Sequence, residues 1–118
     1  MGGGVVEASL SVQLEKMAND GSQGFLNSAV LRAFADALME IPQTLSENAG
    51  LNGLKTISEL RSKHEQGENK SGIDVIKRSI SNMEEANVWE SLVSKEAQIL
   101  MATETAISIL KIDEIIQL

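Results

Sequence analysis

Three consecutive glycines, Gly2, Gly3 and Gly4, stand directly ahead of a segment whose apolar residues Val6, Leu10, Leu14 and Met17 recur at helical spacing. Glycine is costly to order, so a triplet serves a tight turn or a close approach of backbone to a ligand. A turn that leads into a helix gathers free N–H groups at the positive end of the helix dipole, a chemistry suited to phosphate. Taken alone, the triplet has a second reading, a flexible leader. Other reactive side chains are sparse. His64 is the sole histidine and cysteine is absent, so a metal or catalytic role for His64 lacks partners and it reads as structural or surface. The single tryptophan, Trp89, reads as core or interface packing, and Lys95 as a solvated side chain. No nucleophile triad, metal-ligand set or complete phosphate loop occurs.

The elements that must position these residues follow from apolar periodicity. From Arg32 to Gly50 the chain reads RAFADALMEIPQTLSENAG. Together with the residues before it, Leu26, Val30, Phe34, Ala37, Leu38, Ile41 and Leu45 recur at the spacing of one buried helical face, predicting the spine of the core. Pro42 predicts a kink or a break into two helices at Ile41, and Asn48 to Gly50 a stop. Asn19, Asp20 and Gly21 mark a turn ahead of this spine, and beyond it Leu54, Ile57, Leu60 and His64 form another amphipathic face.

QGENKS, residues 66–71, reads as a surface loop. The β-branched GIDVIKRSI after it predicts a short hairpin. Asn82 to Ala86 suits one helical turn, with Glu84 and Glu85 solvated. From about Ser94 to Ile112 the sequence is apolar nearly all round a helix, which therefore belongs inside something. Glu104 within it should reach a polar partner or the margin. Ile115, Ile116 and Leu118 predict a strand-like, adhesive tail. Met17, Met39, Met83 and Met101 read as gap-filling core.

Composition sets the class. With 118 residues, the chain is one small domain or part of a larger one. Hydrophobic residues at 42% and charged residues at 23% are ordinary globular values, while aromatics at 3% leave the core to Leu, Ile, Val, Ala and Met. That palette and a single proline predict a mostly α fold, a bundle of about four to five helices with a short β hairpin. The net charge of −7 argues against nonspecific binding to nucleic acid or anionic membranes. No apolar run reaches the ~20 residues that span a bilayer and the N-terminus lacks a signal-peptide pattern, so a soluble chain is expected.

RAFADAL, IPQTLSENAGLN and ISELRSKH together resemble the equatorial-domain segment of group II chaperonin subunits, the family of eukaryotic cytosolic CCT and the archaeal thermosome. GGGVVE, Gly2 to Glu7, is similar to that family's GGGxxE segment, and NVWESLVSK to its GVxEP segment. Within the family ESLVSKEAQI and LKIDEI are more similar to the epsilon subunit, and RAFADAL and ELRSKHEQGE nearly as similar to delta. Asn82, Asn87 and Ser91 depart from the family's usual Asp, Gly and Pro. The resemblance covers essentially the whole chain and implies that residues 1–118 are the C-terminal half of an ATP-binding equatorial domain, a fragment of a larger subunit.

By this resemblance Gly3 and Gly4 contact phosphate or ribose, Gly72 and Ile73 pack beside adenine, and Glu90 accepts hydrogen bonds from the ribose hydroxyls. A carboxylate is a fitting partner for a 2′,3′-diol. The parent subunit is then an ATPase that uses ATP and Mg2+ to close a double-ring folding chamber in the cytoplasm, with other chaperonin subunits and unfolded client proteins as partners. The family's GDGTT motif and general-base aspartate, which handle magnesium and hydrolysis, do not occur in this sequence. The stretch alone is therefore expected to be inactive and, lacking its other half, to self-associate. The reading from another class is an autonomous helical interaction module that binds a partner through its apolar last helix and tail.

Overall fold

Few aromatics and many Leu, Ile, Ala and Met supply the side chains of packed helices. The computed structural model, which describes residues 1–117 with side chains through Ile112, contains four helices and one hairpin among them. They are α1 (Val5–Asn19), α2 (Gly24–Asn48), α3 (Gly53–Glu65), β1 (Ser71–Asp74), β2 (Ser79–Asn82) and α4 (Leu92–Gln117). The mostly α expectation holds, and so does the hairpin.

Ala8 and Val12 of α1, Met39 of α2, Ile57 and Leu60 of α3 and Ile73 of β1 form the core, with Leu45 and Ile80 packed on it. The α1–α2 interface is built largely from small side chains. Ala8, Ser11 and Ala18 on one helix and Ser28, Ala35 and Ser46 on the other are buried. Small residues let backbones approach, and the Ser11 hydroxyl donates to the Ala35 carbonyl oxygen at 2.7 Å, so its burial is compensated.

Local chemistry sets the boundaries. Gly50 adopts a left-handed φ of 84° after α2, the predicted stop. The Asn52 side chain then caps α3 by accepting from the Lys55 N–H at 3.1 Å. In the antiparallel hairpin Ile73 pairs with Ile80 and Gly72 with Ser81. Its turn is held by Asp74 Oδ1, which accepts from the N–H groups of Ile76 and Lys77, both at 3.0 Å. His64 is buried, and its Nε2–H donates to the Ser71 carbonyl oxygen at 2.8 Å. The structural reading of the lone histidine fits this tie between α3 and β1.

Several expectations are corrected. On α2 the predicted face is mostly exposed: Leu26, Val30, Phe34, Ala37 and Ile41 stand in solvent, Leu45 is half-buried and Leu38 alone is buried. The buried stripe is Ser28, Ala35, Leu38, Met39, Pro42 and Ser46. Likewise α1 buries Val5, Glu7, Ala8, Ser11, Val12 and Ala18 in place of the Val6, Leu10, Leu14 and Met17 face. In both helices the largest side chains mark a second face, and small ones mark the packed face. Leu54 of α3 is exposed as well.

Pro42 does not break α2, which runs unbroken to Asn48. Proline removes one backbone hydrogen bond, and here its buried ring is packed against Gly4, where a Cβ would lie 2.7 Å from the Pro42 Cβ. Backbone through residue 117 is helical where a strand-like tail was expected. A lone strand has no partner for its N–H and C=O groups, whereas a helix satisfies them locally. The side chains of Ile115 and Ile116, and Leu118 altogether, lie outside the described residues. Met39 and Met83 fill the core, but Met17 and Met101 are exposed. Trp89 is 59% exposed, so it is not core in this chain.

Candidate functional site

The glycine turn is shaped by backbone conformations that favour glycine. Gly3 and Gly4 have φ of 70° and 81°. The Gly2 N–H donates to the Val88 carbonyl oxygen at 3.0 Å, and the Ile73 N–H donates to the Gly3 carbonyl oxygen at 2.8 Å. Three segments far apart in sequence, residues 2–4, 72–73 and 88–90, therefore meet. Contact is close enough to exclude side chains. A Cβ at Gly72 would lie 2.8 Å from the Gly3 carbonyl oxygen and 2.6 Å from Met83 Cγ, and one at Gly3 would lie 2.5 Å from Met83 Sδ. Met83 fills the space these glycines leave.

Gly3 and Gly4 precede the first turn of α1, where N–H groups lack intrahelical acceptors. No side chain caps this end. Neither N–H finds a backbone acceptor among the described residues.

Glu90 sits beside the turn, its Cγ 3.2 Å from the position of a Cβ on Gly2. Lys95, on the first turns of α4, reaches back to it. Lys95 Nζ lies 2.9 Å from Glu90 Oε2, donates to Glu7 Oε1 and lies 3.1 Å from Gln98 Oε1. Lys95 is only 7% exposed and Glu7 only 2%. Burial works to lower the Lys95 pKa, but the hydrogen bonds and charges of Glu7 and Glu90 outweigh it and hold the ammonium above the ordinary lysine value.

All five residues singled out in the sequence, Gly3, Gly4, Gly72, Ile73 and Glu90, belong to this convergence, though not alike. The Ile73 side chain is sunk in the core. Gly4 is turned against Pro42. Glu90 keeps 43% of its side chain exposed. Sequence reasoning passed over Glu7; Met83, read as gap-filling core, does fill it, and the solvated reading of Lys95 is corrected by its burial. The signal for Glu7 was its place within GGGVVE on the stripe shared with Ser11 and Ala18; nothing local marked Lys95, whose partner lies 88 positions away.

The departures from the family pattern are also explained locally. Asn82 Oδ1 accepts from the N–H groups of Glu84 and Glu85 at 2.9 and 3.2 Å, a task an amide oxygen performs as an aspartate would. Asn87 adopts a φ of 57°, tolerable for asparagine and natural for glycine. The Ser91 hydroxyl accepts from the Ser94 N–H at 3.4 Å as α4 begins. No group of three or more His, Cys, Asp or Glu gathers among the described residues in a way that could hold a metal, and both Glu7 and Glu90 are engaged by Lys95.

Residues 1–118 match the TCP-1/cpn60 chaperonin family. The chain belongs to this family. It is 45% identical over 115 residues to T-complex protein 1 subunit delta of Bos taurus, covering 98% of this chain and 21% of the relative. It is 44% identical over 115 residues to thermosome subunit 1 of Haloferax volcanii, covering 98% of this chain and 20% of that protein. The structure superposes on the open-state monomer of a group II chaperonin from Methanococcoides burtonii with a TM-score of 0.85 and 37% identity, over 92% of this chain and 27% of that one. The chain thus spans about a fifth of the length of its curated chaperonin relatives. The group II resemblance read from the sequence is upheld, but the eukaryotic relative named here is a delta subunit, the second choice read from the sequence, where epsilon was the first.

Proposed function

We propose that this chain is the C-terminal half of the equatorial domain of a group II chaperonin subunit and forms one wall of its ATP pocket. The convergence of the glycine turn, Gly72–Ile73 and Glu90 carries the reading. The unpaired N–H groups of Gly3 and Gly4 suit phosphate or ribose oxygens. The half-exposed Glu90 suits the ribose hydroxyls. Because its side chain is buried, Ile73 would border adenine through backbone while fixing Gly72 in place. ATP with Mg2+ would supply the phosphoryl chemistry that drives chamber closure. The donor set present suits the nucleoside and not the metal, so magnesium ligands and the hydrolytic acid would come from outside this chain.

The subunit would assemble with other chaperonin subunits in a hetero-oligomeric double ring, assisting the folding of client proteins bound by an apical domain. A cytoplasmic location accords with this role; among the described residues no helix is long and apolar enough to cross a membrane. The broad exposed apolar surface of α4, which includes Leu92, Val93, Leu100, Met101 and Leu110, supports burial of that helix in the assembled protein.

Thermal-shift titration of the full-length subunit with ATP tests the reading. Wild-type protein should be stabilised in proportion to ligand occupancy, and Glu90→Ala should need higher ATP for the same shift. An unchanged titration would remove Glu90 from the pocket.

A further inference from the structure

Lys95 has three N–H donors and meets three acceptors, one each from Glu7, Glu90 and Gln98. Its stem crosses from α4 to the first turn of α1 inside the protein. Such an ion pair is weak evidence of stability in itself, because apolar side chains of similar volume hold helices together at least as well. What the ammonium does, and an apolar side chain would not do, is grip a carboxylate that is otherwise free. Glu90 precedes α4 and is half-exposed. Lys95 takes its Oε2, while no donor among the described residues takes its Oε1.

We infer that Lys95 is a positioning residue for ribose recognition: by holding Oε2 of Glu90 it presents Oε1 to the sugar hydroxyls and ties that carboxylate to the glycine turn through Glu7. The inference rests on the reading of Glu90 as the ribose contact. Two physical effects follow from the arrangement. Fixing the carboxylate in advance removes the ordering cost that a mobile glutamate incurs on binding. The ammonium also offsets two carboxylates that would otherwise repel each other and the phosphates of the nucleotide.

The test compares ATP with 2′,3′-dideoxy-ATP, which lacks the hydroxyls, on the full-length subunit by equilibrium binding. Wild-type protein should prefer ATP by roughly tenfold or more, the scale of charged hydrogen bonds. Lys95→Met should bring that preference to within about twofold, and Lys95→Arg should restore part of it, since charge is kept but geometry is altered. Glu7→Gln/Lys95→Met removes both buried charges, so it avoids the stranded carboxylate of the single variant, and it should show the same lost preference while folded. A purely structural role would change affinity for both nucleotides alike and leave their ratio untouched. A wild-type ratio in the folded double variant overturns the inference, and so does failure of that variant to fold, which would assign the pair to stability. No wild-type preference at all would sink the Glu90 reading itself. A preference abolished by Glu90→Ala yet indifferent to Lys95 would sink only the positioning role.

Discussion

Leu60 of α3 is fully buried beneath its neighbours, whereas Leu92, Leu100 and Leu110 of α4 stand exposed. The packed region of α1 to α3 and the hairpin is held by close contact of small and medium side chains. By contrast α4 is anchored at its start by Lys95 and leaves a groove of about 340 Å³ against α2, lined by Phe34, Ala37, Ile41, Ile99, Ala106 and Leu110. Apolar content therefore marks surface that must be covered somewhere. It does not say by what.

The comparison breaks first at the buried charge cluster of Lys95, Glu7 and Glu90 that joins the two regions. Lys95→Met strands Glu7 in the interior, and loss of one partner of a buried pair costs about 3–5 kcal/mol. Chemical denaturation should show a loss of that order, largely recovered in Glu7→Gln/Lys95→Met. The pH dependence has a definite sign. A base whose pKa is higher folded than unfolded contributes stability that is full below its unfolded value and lost as pH rises through the folded one. With the Lys95 pKa raised from 10.5, wild-type protein should lose stability relative to the double variant as pH climbs above that value, and should not do so near neutrality.

The two leucine environments provide the next contrast. Leu60→Ala should cost about 2–5 kcal/mol as a cavity in the core, while Leu110→Ala on α4 should stay within about 0.5 kcal/mol in the isolated chain. Equal costs in denaturation experiments would mean that α4 is packed after all. Between these two values, Gly72→Ala should destabilise by about 1–3 kcal/mol through overpacking, because the added methyl meets the fixed Gly3 carbonyl as well as flexible Met83. On a monomer–oligomer scale, light scattering of the isolated chain should show self-association through the uncovered apolar surface. A strictly monomeric species at high concentration would contradict that.

Much of the fold was legible from local chemistry: the stop at Gly50, the hairpin around Ile73 and Ile80, and, Leu54 apart, the amphipathic face of Ile57, Leu60 and His64. Which face of α2 lies inward was not. Leu26, Val30, Phe34 and Ile41 form the more apolar stripe, yet Ser28, Ala35 and Ser46 allow α1 to come close, and a periodicity that weights large residues favours the wrong side. Pro42 was misjudged too: it lies inside an unbroken α2 with its ring buried against Gly4, a contact across the helix interface that no local pattern shows. At the site, glycines and a lone carboxylate stood out through resemblance to a chaperonin motif, while Lys95 looked like any surface lysine. Its burial follows from a partner in α1 that no local pattern reveals.

The central claim is that residues brought together around the glycine turn form half of a nucleotide pocket. A structure of the full-length subunit with bound ATP tests it most directly. The account predicts ribose hydroxyls within about 3.2 Å of the Glu90 carboxylate, with phosphate or ribose oxygens facing the Gly3 and Gly4 N–H groups and Lys95 still joined to Glu7 and Glu90. Nucleotide bound away from Gly3 and Glu90 would contradict it.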